Sequence, residues 1–394
     1  MSQMPQSRTE VDLPARTRDV RFETIHDRDG LAARATEWDA LVSTTPRPSP
    51  FFSTPWLLAW WRHHGEQRAM RIEIALAGDR LVGGLPIEIE RTRTGMRVAH
   101  FMGRHHAPLA DVLVAEGYDA QEVARALVGR TGGGSDYGDF FGIARDSVLS
   151  RITGSGASMI ERIEAPVIDL TRGWEEIYRE RTSSKRRNLH KRRRRQLSEL
   201  GELSIEMART ADELAAALEP AFQLHDLRWQ GRHDGSEFTT VVGKEFHREA
   251  VRALGARDLA RILTMRLEGV PIAFHYWLQY EGCMYVHRLA FDPAYAKYSP
   301  GLIATLDAIE SAEQEGARRV EFLGGGERYK LELADATAPL HQCVGFATTV
   351  RGRAGVAAAR ASIALRVRLR RSKRARELYL RGVGLFRRRP DSTD

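Results

Sequence analysis

Several side chains able to move protons lie close together in the C-terminal half of the chain. The run V320-EFLGGGERYK-330 holds two carboxylates, Glu321 and Glu327, a phenol, Tyr329, and an ammonium, Lys330. His287 lies in the strand-like run M284-YVHRLAF-291, two residues from Tyr285 and so on the same strand face. A carboxylate or imidazole can accept a proton and a phenol can return one, while a lysine can hold a phosphate or an acidic group. The same residues also read as a surface ion pair, Glu327 with Lys330, beside a rim tyrosine and a structural histidine.

A second pattern precedes this run. K297-YSPG-301 opens a helix that should extend to Gly316, with Ser299 as N-cap and Pro300 at the first helical position. Such a start leaves the N–H groups of Gly301, Leu302 and Ile303 without helical partners, and the helix dipole adds partial positive charge. Gly301 would also let a bulky group approach the backbone, and Lys297 stands just upstream. The arrangement suits a phosphate or pyrophosphate, although Ser-Pro-Gly alone is also an ordinary capped helix start.

The elements that must position these residues occur twice. In the first half a strand at 20–27 precedes helices at 29–44 and 55–65, three antiparallel strands across 70–101, a helix at 120–130 and a strand at 137–143. In the second half a strand at 203–209 precedes a helix at 211–229 interrupted near Pro220, a helix at 241–255, three strands across 259–291, the Ser-Pro-Gly helix and a strand at 319–324. Gly84-Leu85-Pro86-Ile87 also matches Gly269-Val270-Pro271-Ile272. The expected fold is therefore mixed α/β, with mainly antiparallel sheets in two tandem units. The divisions are a disordered lead at 1–19, a degenerate first unit at 20–180, a second unit at 181–350 that carries the site, and a basic tail at 351–394.

Composition sets bounds on partners. Of 394 residues 42% are hydrophobic, enough for two cores, and the two cysteines, Cys283 and Cys343, form neither a disulfide framework nor a metal-ligand pattern. The N-terminus has no apolar core of a signal peptide, so a soluble, cytoplasmic protein is expected. The formal charge of +8 is concentrated: residues 351–394 hold 14 Arg/Lys against Glu377, Asp391 and Asp394, which leaves residues 1–350 net negative. K185-RRNLHKRRRR-195 alone carries eight positive charges. A surface built throughout for nucleic acid is excluded.

The stretches FDPAYAKYSPGLI and VEFLGGGERYKLEL resemble the CelD/BcsL type of GNAT-superfamily acetyltransferases, tandem GNAT proteins related to the FemABX peptidyltransferases. Phe291, Asp292, Ser299, Pro300, Gly301, Phe322, Gly325, Glu327, Tyr329 and Lys330 fit that pattern; Glu321 stands where the family has Asp. P50-FFSTPWLLAWWRHHG-65, S184-KRRNLHKRRRRQLSELG-201 and H225-DLRW-229 resemble its other elements, so the likeness spans roughly residues 50–345. The resemblance implies acyl transfer, acetyl in the simplest case, from coenzyme A to an amine, with no metal. It places the pyrophosphate on Lys297, Ser299, Gly301, Leu302 and Ile303. It makes Glu327 and Glu321 candidate bases, Tyr329 the candidate acid and His287 a proton relay, with Lys330 and Trp229 on the substrate. The acceptor it implies is a small or lipid-linked amine, such as an amino sugar or cell-envelope polysaccharide precursor. H106-APLADVLVAEGYDAQE-122 lacks Ser-Pro-Gly before its helix, hence the expectation that the first site is dead.

Two other outcomes stay open on sequence. A FemABX-like enzyme would use aminoacyl-tRNA, with the 185–195 run as its phosphate-binding surface. That run lacks interleaved aromatics, has Leu189 and Leu197 as its strong apolar anchors, and reads largely as a solvated face. A non-catalytic adaptor would instead sit at an anionic membrane through the tail 351–389, where apolar residues and arginines alternate.

Overall fold

The computed structural model describes residues 19–66, 68–154, 156–229 and 237–371. Nearly all of the expected lead and the tail beyond 371 lie outside these residues. In the first half the strands are β1 (Val20–Ile25), β2 (Ala69–Ala77), β3 (Arg80–Arg91), β4 (Arg97–Phe101), β5 (Leu113–Val114), β6 (Tyr137–Ala144), β7 (Ala157–Ile163) and β8 (Pro166–Asp169). In the second half they are β9 (Leu203–Ala208), β10 (Ala260–Leu267), β11 (Val270–Tyr280), β12 (Cys283–Phe291), β13 (Arg319–Glu321), β14 (Ala336–Thr337) and β15 (Leu340–Gly345).

They form two sheets of matching order, β1-β2-β3-β4-β6-β15-β7 and β9-β10-β11-β12-β13-β8-β14, with β5 an extra partner of β3. Each sheet is antiparallel except for one central pair, β4 with β6 and β12 with β13. The sheets also exchange strands. β8 pairs with β13, and β15 lies between β6 and β7, so the division expected at 180/181 is crossed in both directions. Loop entropy alone gives no such closure; each sheet completes its hydrogen-bond ladder only with the other half of the chain.

The duplication extends to irregularities. In β2–β3 the turn residues Gly78-Asp79 follow the pair Ala77↔Arg80, and a bulge lies between Ala75 and Leu76. In β10–β11 the turn Glu268-Gly269 follows Leu267↔Val270, and the bulge falls between Met265 and Arg266. Bulges at the same place in two hairpins are strong evidence of one ancestral unit. The tetrapeptide match, by contrast, is out of register. Gly269 makes the turn at φ 74°, whereas Gly84 lies inside β3, where a Cβ would come within 2.5 Å of the Trp38 ring.

The helices follow the expectation closely, with three differences. The helix Ala211–Trp229 continues through Pro220. The expected helix 29–44 is broken at Arg34 into Arg28–Ala33 and Ala35–Ser43. The start of the expected tail is a helix, Val350–Arg371, whose Val356 and Ile363 pack on Val98, Tyr137 and Val344. Its apolar contacts recur at helical spacing once the first sheet is present, which the local apolar–Arg alternation concealed. No helix among the described residues is long and apolar enough to cross a membrane.

The units meet through their second helices, Thr54–His64 and Val241–Gly255. Trp56 and Trp60, both fully buried, meet the Phe246 ring edge-on at 4.9 and 5.2 Å. The apolar run containing Trp56 and Trp60, too short to span a bilayer, is thus explained by burial between two sheets.

Candidate active site

The site begins where β12 and β13 part. They pair only over Cys283–Tyr285 and Arg319–Glu321. Beyond that, β12 continues with a bulge: Val286 faces Trp277 and Arg288 faces Tyr276, with His287 as the extra residue. A bulge puts neighbouring side chains on one face, which strict alternation forbids. His287 and Arg288 consequently both line the opening, although they are adjacent in sequence. On the other side the chain leaves β13 through Leu323, a non-glycine residue held at φ 62°, into Gly324-Gly325-Gly326. Gly325 N–H donates to the Glu164 carbonyl of the first unit at 3.2 Å, which fixes the glycine run across the gap.

The resulting cavity measures ≈ 780 Å³ and gathers all but one of the residues expected to do the chemistry or hold the substrate: His287, Glu327, Tyr329, Lys330 and Trp229. The expected Glu327–Lys330 ion pair is present at 3.0 Å, but it lies at the cavity wall and Lys330 is buried. Lys330 also donates to the Gly324 carbonyl at 3.0 Å, so its ammonium braces the glycine run. Tyr329 is mostly buried, and desolvation raises its phenol above the ordinary range, with Glu327 adding to the effect. It therefore stays protonated at neutral pH and able to donate.

Glu321 is not part of this group. Its carboxylate projects to the opposite face of β13, where Arg47 holds it at 2.7 Å and Arg319 at 2.8 Å beside a separate cavity of ≈ 990 Å³. The expectation that Glu321 sits beside the gap as a second base is corrected by strand alternation, because Val320 and Phe322 face the core. Glu321→Gln should leave turnover near the wild-type value yet lower the melting temperature, since it strips Arg47 and Arg319 of their counter-charge. A turnover assay beside a thermal melt checks both halves.

The expected pyrophosphate cradle is only partly as predicted. Ser299 is left-handed at φ 54°, and its hydroxyl does not cap the helix Pro300–Gln314 but accepts from Arg193 Nη1 at 2.8 Å. The N–H groups of Leu302 and Ile303 donate to the Ser299 carbonyl at 3.1 and 3.2 Å, so of the three expected donors only that of Gly301 is left out of this bonding. Gly301 is needed for a different reason: a Cβ there would lie 2.7 Å from the Phe291 ring. Ile303 is buried, and Lys297 is exposed with its ammonium over the Tyr298 ring at 4.8 Å.

A cationic cleft of ≈ 1210 Å³ adjoins this helix start, walled by Lys185, Arg186, Arg192, Arg193, Leu302 and Tyr329 among others. Tyr329 thus belongs to the walls of both the cleft and the gap. The expectation of a largely solvated basic helix holds for Lys185, Lys191, Arg192 and Arg195, which are exposed, but not for the other four cations. Arg194 grips Asp307 through both oxygens at 2.6 and 3.0 Å, and Arg186 pairs with Glu332. Arg187 donates to the Arg179 carbonyl at 2.9 Å, and Arg195 pairs with Glu199 at 3.3 Å. Arg186, Arg187 and Arg194 therefore hold the helix Ser184–Ser198 against its neighbours, while Arg195 pairs along its own helix.

Residues that sequence reasoning missed line or back the inner end of the gap: His225, His247, Tyr276 and Arg288. The ring centroids of His247 and His287 are 5.3 Å apart, and Tyr276 meets His287 edge-on at 5.0 Å. Both nitrogens of the His247 and His287 rings, the Tyr276 hydroxyl, His225 Nδ1 and Arg288 Nε are buried without a hydrogen-bond partner among the described residues. Burial, followed by the charge of Arg288, pulls His225 down to about 4 and His247 and His287 well below their usual value. All three are neutral at pH 7. A depressed histidine favours folding above its unfolded value and loses that contribution as pH falls toward its folded value. The melting temperature should therefore drop between pH 6.5 and 4, and the slope should be shallower in His225→Gln.

His247 lies beside Phe246 on the buried side of the helix Val241–Gly255, where sequence pattern gives it no mark apart from its packed neighbours. Arg288 was hidden because a bulge has no sequence signature of its own.

The equivalent opening in the first sheet, where β4 and β6 part, measures only ≈ 140 Å³. His100 Nδ1 bridges to the Asp139 carbonyl at 2.7 Å, and Arg366 of the last helix lines the remainder.

Comparison with known proteins agrees with this geometry. Residues 184–331 match the family model described as an acetyltransferase (GNAT) domain. A tandem GNAT protein from the clavulanic acid biosynthesis pathway superposes with TM-score 0.50 at 13% identity, covering 84% of this chain and 99% of that one. The fold is a tandem GNAT. FemX superposes with TM-score 0.54 at 10% identity, over 81% of this chain and 96% of its own. A conserved protein of unknown function from Bacteroides thetaiotaomicron VPI-5482 gives 0.53 at 12% identity, over 79% and 97%. No curated protein sequence matches the chain significantly. In this tandem GNAT the strand pair β12/β13, with the helix Pro300–Gln314 after it, is the parted pair with the larger opening.

Proposed function

We propose that the protein is an N-acyltransferase that moves an acyl group, acetyl in the simplest case, from coenzyme A to an amine, and that the second unit carries the site. The observation that carries this reading is the gap between β12 and β13, with Glu327, Tyr329 and His287 on its walls and a cationic cleft sharing Tyr329. The thioester arm lies in the gap, and its diphosphate end lies in the cleft near Lys185, Arg192 and Arg193. Glu327 accepts the ammonium proton, directly or through water, and the amine nitrogen then attacks the thioester carbon. The carbonyl oxygen takes up charge beside the bulge at His287. Collapse expels the thiolate, and the Tyr329 hydroxyl gives it a proton. The second proton of the attacking nitrogen makes good the one Tyr329 lost, while Glu327 passes its proton to solvent. The new amide C–N bond replaces the C–S bond, and free thiol is released. The first unit serves as scaffold and acceptor-side wall, with Pro108, Phe141 and Glu164 facing the same cavity. The acceptor is a small or lipid-linked amine such as an amino sugar or envelope precursor, and likeness to the CelD/BcsL type supports that choice.

Calorimetric titration with acetyl-CoA, bulk tRNA and anionic vesicles tests this. Acetyl-CoA should bind the wild type, with affinity falling in Lys185→Ala/Arg192→Ala, and an amine library should trigger thiol release. Saturable tRNA binding with no heat from acetyl-CoA would replace this reading with an aminoacyl-tRNA-dependent one. Vesicle binding alone would leave an adaptor.

A further inference from the structure

A buried cation normally has an anion beside it, because the desolvation cost of a lone charge is large. Arg261 follows this rule: 3% exposed, it binds Glu315 at 2.7 Å and Asp258 at 2.8 Å. Arg288 does not. It is partly buried between the two units, and its contacts are the His287 carbonyl at 2.9 Å from Nη1 and His106 Nδ1 at 3.4 Å from Nη2. Its Nε is buried and unpartnered. Among the described residues no carboxylate acts on it; Tyr276 is the sole side chain that favours its charge. Desolvation accordingly lowers its guanidinium to about 10, which still leaves it fully charged at neutral pH.

Three features give that charge a direction. The β12 bulge turns Arg288 onto the same side as His287, so it lines the gap rather than packing on the opposite face. The histidines around it, His225, His247 and His287, are neutral and cannot compensate it, but they offer ring nitrogens for hydrogen bonds. Lys330, the other cation at the cavity wall, is already committed to Glu327 and to the Gly324 carbonyl. Arg288 is left as a planar fork of donors facing a polar cavity, the geometry that suits a carboxylate or phosphate.

We propose that Arg288 binds an oxyanion carried by the amine acceptor, a carboxylate or a phosphate ester, so that the enzyme selects amines that are also anions. This rests on the acyl-transfer reading, which supplies the acceptor. The substrate class is then a zwitterion, whose anionic end reaches the inner cavity at Arg288 and whose amine meets the thioester on the Glu327 side.

The test uses the full chain and matched amines differing in charge: alanine against alaninamide, phosphoethanolamine against ethanolamine, and glucosamine 6-phosphate against glucosamine. In wild type an anionic member should bind at least about tenfold tighter than its neutral partner, a preference of the size expected for one charge-assisted contact. The responding pair tells carboxylate from phosphate. Arg288→Gln should erase the preference and Arg288→Lys should retain part of it. Because Arg288→Gln removes an uncompensated, partly buried charge, the ligand-free melting temperature should rise by about 2 °C or more. Equal binding within every pair in wild type, or a preference that survives in Arg288→Gln, overturns the proposal. A lower melting temperature in Arg288→Gln with wild-type binding would give the residue a structural role and also overturn it. Acetyl-CoA is titrated separately: failure to bind it sinks the donor assignment, while the charge preference is decided by the amine pairs alone.

Discussion

Glu327→Gln lowers kcat by about 10²–10⁴-fold while acetyl-CoA affinity stays at the wild-type value. The expectation follows from position. Glu327 is exposed to the gap, ends the glycine run and is held by Lys330 at 3.0 Å, so its carboxylate is oriented but not buried. Glutamine keeps the size and can still face the Lys330 ammonium through its carbonyl, but it cannot take the proton an ammonium must lose before attack. The loss should therefore fall on kcat rather than on donor binding. Raising the pH should partly restore the variant, because more of the amine then arrives already deprotonated. Full turnover in Glu327→Gln would remove the residue from the chemistry and leave it as a brace for Lys330.

Trp56→Ala should cost about 3–5 kcal/mol of stability, the largest single effect expected outside the gap. Trp56 has no exposed surface and meets Phe51 at 5.1 Å, Phe246 at 4.9 Å and His287 at 5.3 Å. It bridges the first unit, the second helix of the second unit and the bulged strand. Removing it opens a void among aromatic rings whose backbones belong to different sheets, and these cannot collapse together without breaking the strand exchange. Chemical denaturation should show a lower midpoint, and acyl-CoA turnover should fall as His287 loses a wall. A midpoint within error of wild type would mean that the units are held together by the exchanged strands alone.

Much of the fold was legible locally. Alternating strands, Gly-containing turns at 78–79 and 94–95, and capped helices placed most elements of both units, since each follows from short-range propensity and pattern. The duplication was legible as element order, but its strongest marks, the matched bulges and the swapped strands β8 and β15, were not. Short strands such as Pro166–Asp169 carry too little pattern to stand apart from loop, and their partner lies more than a hundred residues away. The start of the tail stayed undecided for a related reason: helicity from Val350 to Arg371 depends on a partner sheet for Val356 and Ile363.

For the site, residue types and spacing in the sequence determined that a carboxylate, a phenol, a lysine and a histidine would gather near a helix start rich in nearby positive charge. Glu327, Tyr329, Lys330 and His287 do share one cavity. Tertiary structure alone decided that Glu321 faces away, that Leu302 and Ile303 give their N–H groups to Ser299, and that Gly301 makes room for Phe291. It also decided that Arg288 is a partly buried cation open to the gap. Sequence specifies which groups are available within a strand or a turn, because those constraints are local. Which face a strand residue shows after a bulge, and whether a charge meets a counter-charge, depend on chains that approach from elsewhere in the fold.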